Sequence, residues 1–169
     1  MDTKRQIAVG VGLFVVFLML WFGVRALIPD AAPLQPKGTS VFLYYYDESK
    51  DLDSKKNVRC SSRGLVPVTR TVYGSDVITD TFKILLKGEM TTEDRKLGVK
   101  ANFPITQFSF VSAELDSKGV LTVTFSDPRH NSSGGACRVN ILRAQLEATA
   151  RQFDGVVQVR FMPQDILQP

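Results

Sequence analysis

The sequence predicts an α+β domain, in the order β-β-α-β-β-α-β, behind an N-terminal transmembrane helix. An uncharged hydrophobic run opens the chain, and strand-like alternation and helix-like hydrophobic spacing follow it. Elements in this order are typical of a compact sheet with two main helices packed on one face. The predicted parts are a cytoplasmic stub and transmembrane anchor at 1–28, a linker at 29–38 and the domain at 39–168.

Composition fits one globular domain with an appendage. The chain has 169 residues, of which 44% are hydrophobic and 22% are charged. Half of the net charge of +4 comes from the N-terminal end, where Lys4, Arg5 and Arg25 are set against Asp2. Acidic and basic residues are interspersed elsewhere, without a basic stripe, so no nucleic acid is expected as a partner.

The hydrophobic run from Ile7 to Val24 predicts a single membrane-spanning helix. It contains no charged residue, and at ~1.5 Å per residue it is about 27 Å long. With residues 25–28 it matches the ~30 Å of a hydrocarbon core, so residues 7–28 are the predicted membrane contact. A buried core helix and a cleaved signal peptide are the alternatives, although a signal peptide usually has a hydrophobic run of only ~7–15 residues.

Flanking residues indicate how this helix is oriented. Lys4 and Arg5 precede the run, which favours an N-terminus inside the cytoplasm. Residues 39–168 are then expected to be extracytoplasmic, on the outer side of the cytoplasmic membrane. Three prolines between residues 29 and 38 predict a stiff linker.

Two strands are predicted at the start of the domain. Val41–Tyr46 is aromatic or branched on both faces, which favours a strand inside a sheet over a tyrosine binding surface. Residues 58–72 contain the second strand, with Pro67 at an edge or bulge. The charged loop 47–57 is expected to be solvated, because it lacks the spacing and turn glycine of a calcium loop.

A helix and a hairpin are predicted in the middle of the domain. Asp76 is placed to begin the helix and Gly88 to end it, and a short helical turn follows Thr91. Residues 108–115 and 120–125 flank a four-residue turn with a glycine, the pattern of a β-hairpin.

A long amphipathic helix, predicted from about Ala136 to Phe153, organises the end of the chain. Its predicted apolar stripe consists of Val139, Leu142, Leu146, Ala150 and Phe153. Arg143, Glu147 and Arg151 form a row on the opposite side, which is expected to be solvated and is a possible interaction face.

The segments before and after this helix are a turn and a strand. Ser132 and Ser133 are predicted to offer hydroxyl groups to the first unpaired N–H groups of the helix. After the helix, Val157, Val159 and Phe161 alternate with polar residues, which predicts a strand with one buried face.

Several of these segments, in this order, follow a familiar pattern. They are Val41–Tyr46, Leu65–Val68, Leu85–Gly88, Thr91–Glu93, Gly119–Phe125, Ser133–Val139, Ala144–Thr149 and Gln152–Phe153. Together they resemble the GerMN domain family of GerM-like sporulation and germination proteins, over roughly Thr39 to Gln168. The resemblance implies a bacterial cell-envelope domain without enzymatic activity, in which self-association is an expected property. This chain carries one copy of the pattern and a hydrophobic anchor, whereas the founding pattern has two copies and a lipid-modified cysteine.

Cys60 and Cys137 are the only cysteines. In an extracytoplasmic space two thiols commonly pair, and a bond here would close a loop of roughly 75 residues. The chain-entropy model gives such a bond about 4 kcal/mol of stabilisation. Two separate buried thiols, or a reactive Cys137 with His130 as its base, remain as alternatives.

The turn formed by Asn131, Ser132, Ser133, Gly134 and Gly135 is a possible anion or ligand loop, because helix N–H groups attract negative charge. It matches neither a phosphate-binding loop nor a dinucleotide fingerprint, and a simple helix entry is the alternative. No catalytic set, metal site or cofactor site has a recognisable spacing.

The sequence therefore predicts a non-enzymatic, membrane-anchored envelope protein that binds itself or an envelope protein partner. Binding of peptidoglycan or an anionic ligand through residues 131–135 is the alternative.

Overall fold

The computed structural model describes residues 37–168, which contain five strands, three α-helices and two short 3-10 helices, Glu48–Lys50 and Ser62–Gly64. The strands are β1 (Thr39–Tyr46), β2 (Leu65–Val72), β3 (Ser109–Leu115), β4 (Val120–Ser126) and β5 (Gln158–Met162). The helices are α1 (Val77–Lys87), α2 (Thr92–Lys96) and α3 (Ala136–Ala150). None of the described helices is long and apolar enough to cross a membrane. The predicted anchor at 1–28 and most of the linker lie outside the described residues.

The strands form two sheets. β1 and β2 pair antiparallel, whereas β3, β4 and β5 form a second sheet in that order. β3 and β4 are the predicted hairpin, and β5 joins β4 in parallel through the crossover helix α3. The predicted α+β class and element order are confirmed, but the prediction of one sheet with both helices on one face is wrong.

The outer edge of β1 shows why the sheets stay separate, because side chains of α3 and of the turn after it occupy the place of a neighbouring strand. The Gln152 side-chain amide accepts a hydrogen bond from the N–H of Phe42 and donates one to its carbonyl, both at 2.7 Å. Gln145 donates to the carbonyl of Tyr44 at 2.9 Å, and the Tyr44 N–H donates to the Thr149 hydroxyl at 3.4 Å. An edge strand with its backbone groups satisfied in this way has no need of another strand.

The core lies between the two sheets and the helices α1 and α3. Its aromatic centre is Phe125 of β4, whose ring lies 5.0 Å from that of Phe108 and 6.0 Å from that of Phe161, centroid to centroid. Phe82 of α1 is fully buried beside it, with 6.2 Å between the two ring centroids. Alternation along β4 therefore places its inward residues as predicted, with Leu121 and Val123 also buried.

Local signals set the ends of the two shorter helices. The Asp76 carboxylate accepts a hydrogen bond from the Thr79 N–H at 3.0 Å where α1 begins, and Gly88 ends α1 in the left-handed region at φ 64°. A Cβ at Gly88 would clash with the carbonyl of Phe103. Thr91 starts α2 with a capping box. The predicted starts and stops are confirmed here.

The end of α3 and the start of β5 differ from the prediction. The α-helix ends at Ala150, and Phe153 is half-buried in the turn that follows. Val157 is 71% exposed rather than buried, because it precedes the paired part of β5, where Phe161 lies against the core.

Candidate functional site

The N-terminal end of α3 is fastened by a disulfide. Cys60 and Cys137 are bonded, with their Cα atoms 5.1 Å apart and a sequence separation of 77 residues. The bond joins the loop before β2 to the first turn of α3. The predicted disulfide is present, and in this state Cys137 has no thiol with which to act as a nucleophile.

The Asp127 carboxylate, which precedes the predicted anion loop in sequence, binds backbone N–H groups of that loop. Asp127 accepts hydrogen bonds from the N–H groups of Asn131 and Ser132, both at 2.8 Å. Burial alone would raise the pKa of Asp127, but the hydrogen bonds from Ser132 and Asn131 outweigh it and hold that pKa below its usual range. Arg138 donates to the carbonyl groups of Asn131, at 2.9 Å, and of Ser133. The first half of the loop is therefore bonded internally.

The second half of the loop is open. Gly134 and Gly135 are exposed, with φ of 126° and 95°, and a Cβ at Gly135 would meet nothing within 4 Å. The prediction that Ser132 and Ser133 cap the helix is wrong, because no side chain caps α3. The N–H of Ser132 binds Asp127, and the Ser133 hydroxyl donates to the carbonyl of His130 at 2.6 Å.

The charged row on α3 lies beside β5. Arg143 is exposed, and its guanidinium carbon lies 5.7 Å from the ring centroid of Phe161. Arg151, also exposed, donates to the carbonyl of Val157 at 3.2 Å. Glu147 lies between them in the row and is half-buried. The predicted face is thus at the surface, and contacts with the chain hold its two arginines in place.

A buried carboxylate in the loop after β1 was not predicted. The Asp51 side chain is 1% exposed and accepts hydrogen bonds from the Tyr46 hydroxyl at 2.6 Å and the Ser61 hydroxyl at 2.7 Å. Burial would raise the pKa of Asp51, but hydrogen bonds from Tyr46 and Ser61 lower it overall. Asp47 is also buried, so the expected solvated loop at 47–57 is in part a packed element. Its charged composition gave no sign of this.

We expect Asp51→Asn to cost about 1–2 kcal/mol of stability at pH 7, because an amide cannot accept all of these hydrogen bonds. A lowered pKa in the folded state means that the carboxylate stabilises above its unfolded pKa of about 3.9 and that this stabilisation is lost as pH falls through the folded pKa. Urea unfolding from pH 7 down to pH 2 should therefore show the gap between the two proteins closing below about pH 4. A gap that stays constant would contradict this assignment.

No site for a metal ion is formed within residues 37–168. Histidine, cysteine, aspartate and glutamate side chains do not converge there in groups of three or more. Asp94, a buried acid, is instead paired with Arg70. Within the described domain, the features that remain at the surface are the charged row on α3 and the open entry of that helix.

Comparison with known structures places the fold. The chain is similar to the first GerMN domain of the sporulation protein GerM from Bacillus subtilis, with a TM-score of 0.52, 16% identity, and coverage of 76% of this chain and 86% of that one. It is also similar to the tandem GerMN domains of the same protein, with a TM-score of 0.51 and 17% identity. There the match covers 80% of this chain and 43% of the tandem structure. These identities establish the fold alone.

A search of the curated proteins found no match. The family model Germane, described as sporulation and spore germination, matches residues 42–163. That range runs from β1 past β5 and takes in the disulfide loop, the glycine turn and α3, most of the 169 residues. The chain therefore belongs to the Germane family of sporulation and spore germination domains, as the resemblance to GerMN implied.

Proposed function

We propose that this chain is a membrane-anchored protein of the bacterial cell envelope whose GerMN-like domain is a non-enzymatic interaction and assembly module. The observation that carries the proposal is the surface row of Arg143, Glu147 and Arg151 along α3 and its C-terminal cap, in which the two arginines are exposed and held in place. Arginines that are held in place before binding lose little conformational entropy in an interface, and arginine is enriched among residues that dominate binding energy. The partner is a second copy of the chain or another envelope protein.

Two further observations support a binding role over catalysis. The family is described by a process, sporulation and spore germination, rather than by a reaction. The buried acids Asp51 and Asp94 and the half-buried Asp127 are bonded to neighbouring side chains or backbone, and Cys60 is bonded to Cys137. Groups held in this way stabilise the fold.

Charge reversal on α3 tests the interaction face. We expect Arg143→Glu combined with Arg151→Glu to weaken the crosslinked complex in intact cells about tenfold, the effect of losing about 1.4 kcal/mol of binding energy. Arg95→Glu with Lys96→Glu on α2 is the matched control, since it makes the same charge change on another exposed surface. Equal crosslinking in both double variants would remove the support for this face.

A topology reporter tests the anchor. Alkaline phosphatase fused after Pro169 should be active, because residues 7–28 are proposed to carry the domain across the cytoplasmic membrane. A cytoplasmic reporter such as β-galactosidase at the same position should be inactive. The reverse pattern would overturn the proposed location.

The alternative function is binding of peptidoglycan or an anionic ligand at Asn131–Gly135, and the uncapped, exposed start of α3 favours it. Co-sedimentation with purified peptidoglycan discriminates between the two functions. Retention that falls when Gly135 is replaced by a bulky acidic residue would support the alternative. A module that only binds other proteins need not co-sediment with peptidoglycan.

A further inference from the structure

The outer edge of β2 is unpaired within the described domain over a short window, from Thr69 to Tyr73, the residue directly after the strand. Within residues 37–168, β2 pairs with β1 alone. Phe42 turns its N–H and carbonyl toward Gln152, so its cross-strand partner Thr69 turns its own groups away from β1. Because strands repeat every two residues, Thr71 points its groups outward as well.

The edge on the N-terminal side of this window is protected. Pro67 lies two residues before Thr69 and has no N–H to offer. Arg70 donates to the carbonyl of Thr69 at 3.0 Å and is ion-paired with Asp94. The Thr69 N–H and both backbone groups of Thr71 have no protein partner within the described domain. The window therefore presents donors and an acceptor in the spacing of a strand.

A groove of about 270 Å³ lies beside the window, between β2 and α1. Its lining residues are Thr71, Val72, Tyr73, Asp80, Lys83, Ile84 and Lys87. Val72 and Ile84 make the groove apolar inside, whereas Lys83 and Lys87 are exposed at its rim. An added strand would direct alternate side chains into such a groove.

The positive charge at the rim of the groove indicates which class of partner it fits. Lys83 and Lys87 lie one helical turn apart, and neither has a carboxylate within 4 Å among residues 37–168, where the two ion pairs are elsewhere. Asp80, the acid of the groove, lies against Gly74. A second copy paired through the same edge would bring like charges together, which is unfavourable. Lys83 also lowers the pKa of the nearby Asp76 carboxyl, after the hydrogen bonds from Thr79, but it forms no ion pair with it. Carboxylates on the incoming strand complement the two rim lysines.

We propose that the β2 window and groove bind an extended acidic peptide segment of another protein. The segment adds to β2 as a third strand through Thr69 and Thr71. It places one apolar side chain over Val72 and Ile84 and its carboxylates beside the rim lysines. This inference rests on the proposed interaction role and names a partner class for a surface separate from the charged row on α3.

Binding of capped, fluorescent peptides to the full chain in detergent tests the proposal. The probe has a central Thr-Val-Thr flanked by glutamate pairs, and control peptides carry glutamine or lysine pairs. We expect the glutamate peptide to bind most tightly and the lysine peptide not to bind. Lys83→Gln with Lys87→Gln should weaken binding about tenfold, whereas Lys118→Gln on the β3–β4 hairpin should not.

Thr71→Pro removes the central N–H at a position in phase with Pro67, and it should abolish binding. Hydrogen exchange should slow at Thr69 and Thr71 when the glutamate peptide is bound. If Thr71→Pro lowers the melting temperature, the lysine variants and the exchange data decide the question.

Three results would overturn the proposal: no preference for the glutamate peptide, no effect of the lysine substitutions, or a chain that dimerises through Thr71 without peptide. The crosslinking test of the Arg143 and Arg151 variants is a separate measurement. A negative result with the peptides therefore leaves the proposed function unaffected.

Discussion

The Cys60→Ser/Cys137→Ser double variant is expected to melt roughly 10–15 °C below the native chain, a loss of about 4 kcal/mol. The disulfide spans 77 positions, so its removal frees a long loop in the unfolded chain. It also releases the first turn of α3, which no side chain caps. Calorimetry of the full chain in detergent measures both the shift and the unfolding enthalpy.

A reducing agent provides the matched control for this prediction. The native chain should fall to the melting temperature of the double variant when it is reduced, and the double variant should not respond to reductant. Cys60→Ser alone should behave like the double variant, because it leaves an unpaired thiol at Cys137. A native chain whose melting temperature is unchanged by complete reduction would show that the bond adds no stability.

Elements governed by local signals were predictable from the sequence. The β3–β4 hairpin follows from alternation around a glycine turn, and α1 follows from Asp76 and Gly88 at its ends. The disulfide followed from a count of two cysteines and an expected location. The hairpin and α1 are determined by residues that are neighbours in sequence. The disulfide is determined because each cysteine has only one other cysteine with which to pair.

Features that depend on tertiary partners were not predictable. Gln145 and Thr149 are polar residues on a helix, which normally indicates solvent, yet both are buried against the edge of β1. Ser132 and Ser133 have the identity of helix caps, but the Ser132 side chain bonds to Asp127 and the Ser133 hydroxyl donates to the carbonyl of His130. Several groups of similar chemistry could accept or donate each of these hydrogen bonds. Only the folded chain determines which of them lies within reach.

The outer edges of β1 and β2 differ in how far they are open to an added strand. α3 and the turn after it close β1 with amide and hydroxyl groups, and Pro67 and Arg70 protect part of β2. Among residues 37–168, the open part of β2 is thus confined to the window beside the lysine-rimmed groove. A strand edge that is closed elsewhere can accept one segment without inviting general aggregation.

Gln145→Ala is expected to destabilise the domain by about 3 kcal/mol, roughly 10 °C in melting temperature, because Gln145 is fully buried and joins two elements. Its amide donates to the Tyr44 carbonyl and accepts from the Asn102 side chain, each at 2.9 Å. Truncation leaves both partners unsatisfied and opens a cavity. Gln152→Ala is the control on the same edge: it removes a similar pair of bonds where water can replace them, and should cost about 1 kcal/mol or less.

Gln145→Glu separates the lost donor from the lost volume, since it keeps the shape of the side chain. A buried glutamate has its pKa raised above the unfolded value of about 4.3, so its protonated form is favoured in the folded state. The loss of unfolding free energy in Gln145→Glu should be greatest at pH values above that raised pKa. It should shrink as pH falls through the raised pKa, because the protonated acid can again donate to the carbonyl of Tyr44. Denaturant unfolding at several pH values measures this recovery. Equal and small losses in the Gln145 and Gln152 variants, with no dependence on pH, would show that the helix does not close the strand edge.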